Sequence, residues 1–233
     1  MPKSNQRTIQ GMNIRFVTIG STLPVVDYLA SVITSHLESG EHVLWLLAGG
    51  SAIGIGVDVA HKLGRVPDGR LTVSLTDERY GPVGHADSNW AQLMSAGFNL
   101  PGATLIPTLT GLDQPRTASK WGAELDHAFS TSDFHVGFFG IGPDGHTSGI
   151  LPHTSAVEAP GTVFAYNAGS YERITTTSAF IKQLDEAVVY AIGQPKWPVL
   201  EQLEHEESPD IQPAQILKQL PKLTVFTDRP EKV

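Results

Sequence analysis

Short, continuously apolar runs alternate along this chain with longer segments in which apolar positions recur at helical spacing, and that alternation predicts an α/β protein. The run Val43-Leu44-Trp45-Leu46-Leu47-Ala48 is too short for a helix and apolar throughout, as expected of a central parallel strand covered on both sides. Segments 14–19, 71–76, 134–140, 187–192 and 223–227, rich in β-branched and aromatic residues, are further strands, and a short strand fits 104–106. Between them, Val25, Val26, Leu29, Val32, Ile33 and Leu37 mark one face of a helix over 23–37. A second helix fits 52–63, its start weakened by Gly54 and Gly56. Asp87-Ser88-Asn89 supplies N-cap chemistry for a third, through Trp90, Leu93 and Met94. A fourth covers 117–129.

Past residue 152 the pattern changes to two facing β-rich pieces, 162–166 and 173–177, which predict a hairpin. A short helical piece fits 180–184, and a helix fits 195–203, with Pro198 expected to kink or shorten it. Segment 204–212 is acidic and polar, as in an exposed loop. The expected architecture is a mostly parallel sheet with helices on both faces, in a single domain over 1–233 whose residues 1–10 form a mobile tail.

Composition narrows the function more than the fold. The 233 residues are 40% apolar and 17% charged, a globular balance, and contain no cysteine, which removes thiolate catalysis, thiolate metal sites and disulfides. A formal charge of −8 disfavours nucleic acid and anionic membrane as partners. No apolar run approaches the ~18 residues of a membrane span. No signal peptide is read at the N-terminus, so a cytoplasmic protein is expected. An anionic ligand would need a few local cations and backbone amides.

In a parallel sheet the loops after successive strands gather at the carboxyl edge, where ligands bind. Those loops carry Gly49-Gly50-Ser51, Asp77-Glu78-Arg79, Asp144-Gly145-His146 and Gly193-Gln194-Pro195-Lys196. Gly49, Gly50 and Ser51, between a strand and a helix, suit a phosphate or equally a plain tight turn with a serine cap. The turn is neither a Walker loop nor a dinucleotide fingerprint. Arg79, Arg173 and Lys196 could serve as solvated or ion-paired charges, or converge on that phosphate. His146 is the candidate general base because imidazole exchanges a proton near neutrality. His85, His146 and His153 lack helical metal-ligand spacing. Gly49-Gly50-Ser51-Ala52-Ile53 lacks the closing glycine of a hydrolase elbow, which leaves water as the more economical nucleophile.

Taken together, Ala48-Gly49-Gly50-Ser51, Thr76-Asp77-Glu78-Arg79-Tyr80, Gly140-Ile141-Gly142-Pro143-Asp144-Gly145-His146-Thr147, Arg173-Ile174-Thr175 and Gly193-Gln194-Pro195-Lys196 resemble the glucosamine-6-phosphate isomerase/6-phosphogluconolactonase family. The resemblance implies a Rossmann-like α/β fold and hydrolysis of a phosphorylated sugar lactone in the oxidative pentose phosphate pathway. It implies His146 as the activator of water and Asp144 as support for that loop or the substrate. Gly49, Gly50, Ser51, Arg79, Arg173 and Lys196 would then hold the phosphate. No metal or organic cofactor is expected, no partner beyond the small-molecule lactone, and a monomer is favoured. Ala52 and Ile53 depart from the family's usual Thr-Pro, removing one hydroxyl. The deaminase branch carries an Asn-Glu-Pro segment after its Asp-Gly-His, whereas Ile150 and Leu151 precede Pro152 here, which favours the lactonase over a deaminase or a noncatalytic sugar-phosphate sensor.

Overall fold

The computed structural model describes residues 6–8 and 13–230. Along the chain run β1 (Gln6–Thr8), β2 (Ile14–Thr18), α1 (Leu23–Glu38), β3 (Val43–Leu47), α2 (Ile53–Leu63), β4 (Leu71–Leu75) and β5 (Asp77–Arg79). Next come α3 (Asn89–Ser95), β6 (Thr104–Leu105), α4 (Gln114–Ser130), β7 (Phe134–Gly140), β8 (Val163–Asn167) and β9 (Glu172–Thr176). The chain closes with α5 (Ser178–Ile181), β10 (Glu186–Ala191), α6 (Trp197–Leu203) and β11 (Lys222–Thr227).

Eight strands form one sheet in the order β1-β2-β11-β10-β7-β3-β4-β6, parallel throughout except for the antiparallel edge strand β1. Every residue of β3 is buried, which requires layers on both faces of the sheet. Trp45, Trp121, Phe138 and Phe139 are among the largest fully buried side chains of the core. This is the mostly parallel architecture the alternating pattern predicts, with the Rossmann-like core that the family resemblance implies. The order of connection reverses beside β3: the chain steps outward through β4 and β6, then returns to β3's other side as β7 and steps away through β10 and β11. Such a switch point opens a crevice between the carboxyl ends of β3 and β7. The loop after β3 begins at Ala48, whose N–H bonds the Phe138 carbonyl of β7 at 2.9 Å.

A second, antiparallel sheet, β5-β9-β8, stands against that edge. The expected hairpin is β8–β9. Asp77-Glu78-Arg79, read from sequence as a loop, is instead the third strand of this sheet. Three polar residues carry no alternation signal, and their strand character comes from pairing with β9, far away in sequence. Three further expectations change. Residues 6–8 of the supposed mobile tail pair with β2 as an edge strand, and the rest of segment 1–10 lies outside the described residues. Of the two effects expected of Pro198, shortening is seen and kinking is not: α6 begins only at Trp197, after a 3-10 turn, so the proline falls in the first helical turn, where no N–H is required. The acidic segment 204–212 is not exposed throughout, since Glu204 bonds Arg229 and Gln212 is buried against the Val199 carbonyl. No helix among the described residues is long and apolar enough to cross a membrane.

Candidate active site

The crevice is a pocket of about 290 Å³. One wall is the Gly49-Gly50-Ser51 turn, which runs through a short 3-10 turn into α2 with Gly50 at φ +62°. That left-handed value costs glycine little and would strain any residue with a side chain. Gly49, Gly50, Ser51, Arg79, Arg173, Lys196 and His146 all line the pocket; Asp144 stands behind His146.

The loop after β7 holds His146 from two sides. Its Nδ1 meets Asp144 Oδ1 at 2.5 Å, and its backbone N–H donates to the same oxygen at 3.2 Å. Gly142 N–H closes the loop on the His146 carbonyl at 2.9 Å. Burial pushes the Asp144 carboxyl up, but the His146 ring beside it and the hydrogen bonds it receives outweigh that, leaving it below its ordinary 3.8. An ionised carboxylate only accepts, so the hydrogen sits on Nδ1 and Nε2 is left as the basic nitrogen. A side chain at 142 would collide with the His146 ring and come within 2.5 Å of Asp144 Oδ1. Only glycine lets the loop close on the pair.

Arg79 and Arg173 come from the small sheet, where they are register partners on β5 and β9. Like charges placed opposite each other are destabilising unless something intervenes. Two contacts do: Arg173 Nη1 reaches the buried Asp77 Oδ2 at 3.3 Å, and both guanidinium carbons lie over the Tyr171 ring, at 5.5 and 5.9 Å. Arg79 Nη1 donates to the Asp87 carbonyl at 3.0 Å. The Nε of each arginine is buried with no protein partner.

Glu78, between Asp77 and Arg79, does not pair with either arginine's side chain. It is fully buried, accepting from Ser88 Oγ and from the backbone N–H groups of Arg79, Asn89 and Trp90, and so ties β5 to the start of α3. Burial pushes its carboxyl above the ordinary 4.5 despite those bonds. Lys196 enters from the turn after β10. Asp228, at the end of β11, fixes that turn by accepting from Gly193 N–H at 3.0 Å and Trp197 Nε1 at 2.9 Å. Burial lowers the Lys196 ammonium below its usual range, with the Asp228 charge pulling the other way. The lining therefore sets Arg79, Arg173 and Lys196 against the single carboxylate of Asp77, a local positive excess in an acidic protein. Among the described residues no three His, Asp or Glu side chains cluster as metal ligands.

Several residues in or beside the pocket escape sequence reasoning. Asn89 reads only as part of a helix cap, yet its Nδ2 holds the Asp77 carbonyl at 3.0 Å and its Oδ1 is buried against Gly49. Asp77 and Tyr171 declare their roles only once β5 and β9 are paired. Ser148 sits in the pocket wall beside His146.

Comparison with known proteins shows the family to which the chain belongs. A family model described as glucosamine-6-phosphate isomerases/6-phosphogluconolactonase matches residues 22–225. A 6-phosphogluconolactonase of Chlamydia pneumoniae is 26% identical over 180 residues, covering 75% of this chain and 69% of its own. One of Nostoc sp. is 24% identical over 209 residues, covering 85% of each. The crystal structure of the Thermotoga maritima 6-phosphogluconolactonase superposes with a TM-score of 0.79 at 22% identity, over 92% of this chain and 98% of that one. Matched from residue 22 to residue 225, across every segment that lines the pocket, the chain belongs to the glucosamine-6-phosphate isomerase/6-phosphogluconolactonase family.

Proposed function

We propose that this protein hydrolyses 6-phospho-D-glucono-1,5-lactone to 6-phosphogluconate, as a cytoplasmic enzyme of the oxidative pentose phosphate pathway. The observation that carries the reading is the union, in one pocket, of a carboxylate-oriented histidine and three cations. Arg79, Arg173, Lys196 and the Gly49–Ser51 amides take the phosphate and set the lactone carbonyl against a water at His146 Nε2. His146 removes a proton from that water as its oxygen bonds to the carbonyl carbon. The tetrahedral oxyanion then expels the ring oxygen, which collects the proton from the imidazolium. Asp144 keeps the ring oriented and favours its cationic form in between. The carboxylic acid product ionises and releases one proton, which a pH-stat counts directly.

With phosphate as the anchor, 6-phosphogluconolactone should be turned over with kcat/KM at least ~10²-fold above unphosphorylated gluconolactone, both read above spontaneous hydrolysis. Equal turnover would remove the anchor from the reading. Ammonia released from glucosamine 6-phosphate would point to the deaminase branch. Gly142→Ala tests the histidine separately. The new methyl group displaces the His146–Asp144 pair without touching the cations, so kcat should fall roughly 10²-fold while 6-phosphogluconate binds as before. Unchanged kcat would show that the pair's geometry is not needed.

A further inference from the structure

Ser148 occupies a backbone position suited to glycine. Its φ is +51°, in the left-handed region that L-residues rarely adopt outside asparagine and aspartate. The strain is locked in from both sides. Ile150 N–H closes a turn on the Thr147 carbonyl at 3.0 Å, and Thr147 Oγ1 donates to the Gly140 carbonyl at 2.9 Å. On the following residue, Gly149 N–H donates to Thr175 Oγ1 at 3.0 Å and its carbonyl accepts from Tyr166 OH at 2.6 Å. Residue 148 cannot relax without breaking the link between the catalytic loop and the small sheet.

Serine is held there although glycine would fit with less strain, and nothing in the protein rewards its side chain. The residue is 8% exposed, and its Oγ is buried with no hydrogen-bond partner. A buried hydroxyl without a partner is itself costly. Ser148 lines the same pocket as His146, two residues away from it, so rotation of the hydroxyl onto a bound ligand would remove the second cost and offset the first. Strained residues over-determined by their surroundings concentrate at ligand clamps for this reason.

We infer that Ser148 is a further substrate-binding residue, whose hydroxyl hydrogen-bonds the lactone end of the substrate, at the oxygen-bearing atoms beside the reacting carbonyl. The inference rests on the lactonase reading for the identity of that substrate. It assigns Ser148 to the sugar and not to the phosphate, so its loss should affect phosphorylated and unphosphorylated lactones alike.

Two variants separate this role from a structural one. Ser148→Ala keeps the strain and removes the hydroxyl; Ser148→Gly removes both. Each should lower kcat/KM roughly 10- to 100-fold, by the same factor on 6-phosphogluconolactone and on gluconolactone, the loss expected for one buried hydrogen bond to substrate. Ser148→Gly should do so with a Tm equal to or above that of the wild type. The inference is overturned if either variant keeps its kcat/KM within about twofold, if the loss is confined to the phosphorylated lactone, or if the glycine variant loses activity together with Tm. Should the wild type hydrolyse neither lactone, the functional reading falls on its own. The serine is then judged by calorimetric titration with 6-phosphogluconate. Weaker binding to Ser148→Gly than to wild type sustains the inference; equal binding, or none, overturns it.

Discussion

Alanine at position 146 is expected to reduce kcat on 6-phosphogluconolactone by about 10²–10⁴-fold, the usual contribution of one general acid–base group. KM should change little, because the cations that hold the phosphate come from other elements. The loop should survive, since His146 is joined to it through backbone bonds that alanine retains. Asp144→Asn is the informative companion. Its amide can present either an oxygen or an NH₂ group to Nδ1, so the tautomer that leaves Nε2 basic is no longer enforced. Its kcat should fall by less than that of His146→Ala, and the two losses should not add in the double variant. Near-wild-type turnover by His146→Ala, measured above background hydrolysis, would take the base out of the mechanism.

The second large effect is expected at Arg173, and it has two parts. Removing its charge should raise KM for the phosphorylated lactone by about 10- to 100-fold, leaving gluconolactone turnover nearly unchanged. The same change strands Asp77, whose side chain is only 7% exposed and whose ion-pair partner is Arg173. Removing one partner of a buried ion pair costs about 3–5 kcal/mol, which corresponds to a Tm loss on the order of 10 °C. Relief of the repulsion between Arg173 and Arg79 offsets part of this. Arg79→Ala provides the contrast: it should weaken phosphate binding comparably with a smaller thermal penalty, because, among the described residues, its guanidinium hydrogen-bonds only the Asp87 carbonyl and its removal strands no carboxylate. Adding Asp77→Asn to Arg173→Ala should restore part of the Tm and none of the affinity. Equal Tm values for the two arginine variants would mean that the Arg173–Asp77 pair contributes nothing to stability.

Much of this arrangement is legible in the sequence, for identifiable reasons. The strands of the large sheet are apolar runs buried on both faces, so β3 and β7 announce themselves, and the turns that follow them at the carboxyl edge carry Gly49–Ser51 and His146. Arg79, Arg173 and Lys196 can be nominated because each lies near a predicted strand end. What cannot be read is anything set by long-range pairing. Asp77-Glu78-Arg79 looks like a polar loop until β9 is laid beside it, and only then do the arginines become opposed partners with Tyr171 across both. Glu78 stands in a segment gathered at the sheet edge, yet its oxygens are occupied at the start of α3. Ser148 is an ordinary serine in sequence; its interest lies in a dihedral angle and a missing partner.

The division of the site between two sheets bears on how such a protein can change over generations. The proton-transfer loop grows from the large parallel sheet, while two of the three cations belong to a small antiparallel one. The proton-transfer loop meets the small sheet through the bonds of Gly149 with Thr175 and Tyr166, while β4 runs on into β5 across Thr76, whose carbonyl accepts from Thr176. Beyond that seam, the turn joining β8 to β9 can lengthen, shorten or exchange its residues without passing strain to His146. Recognition and chemistry are thus separately heritable. A descendant could acquire a differently charged substrate largely through the small sheet, which carries Arg79 and Arg173, provided that the seam at residue 149 is left intact.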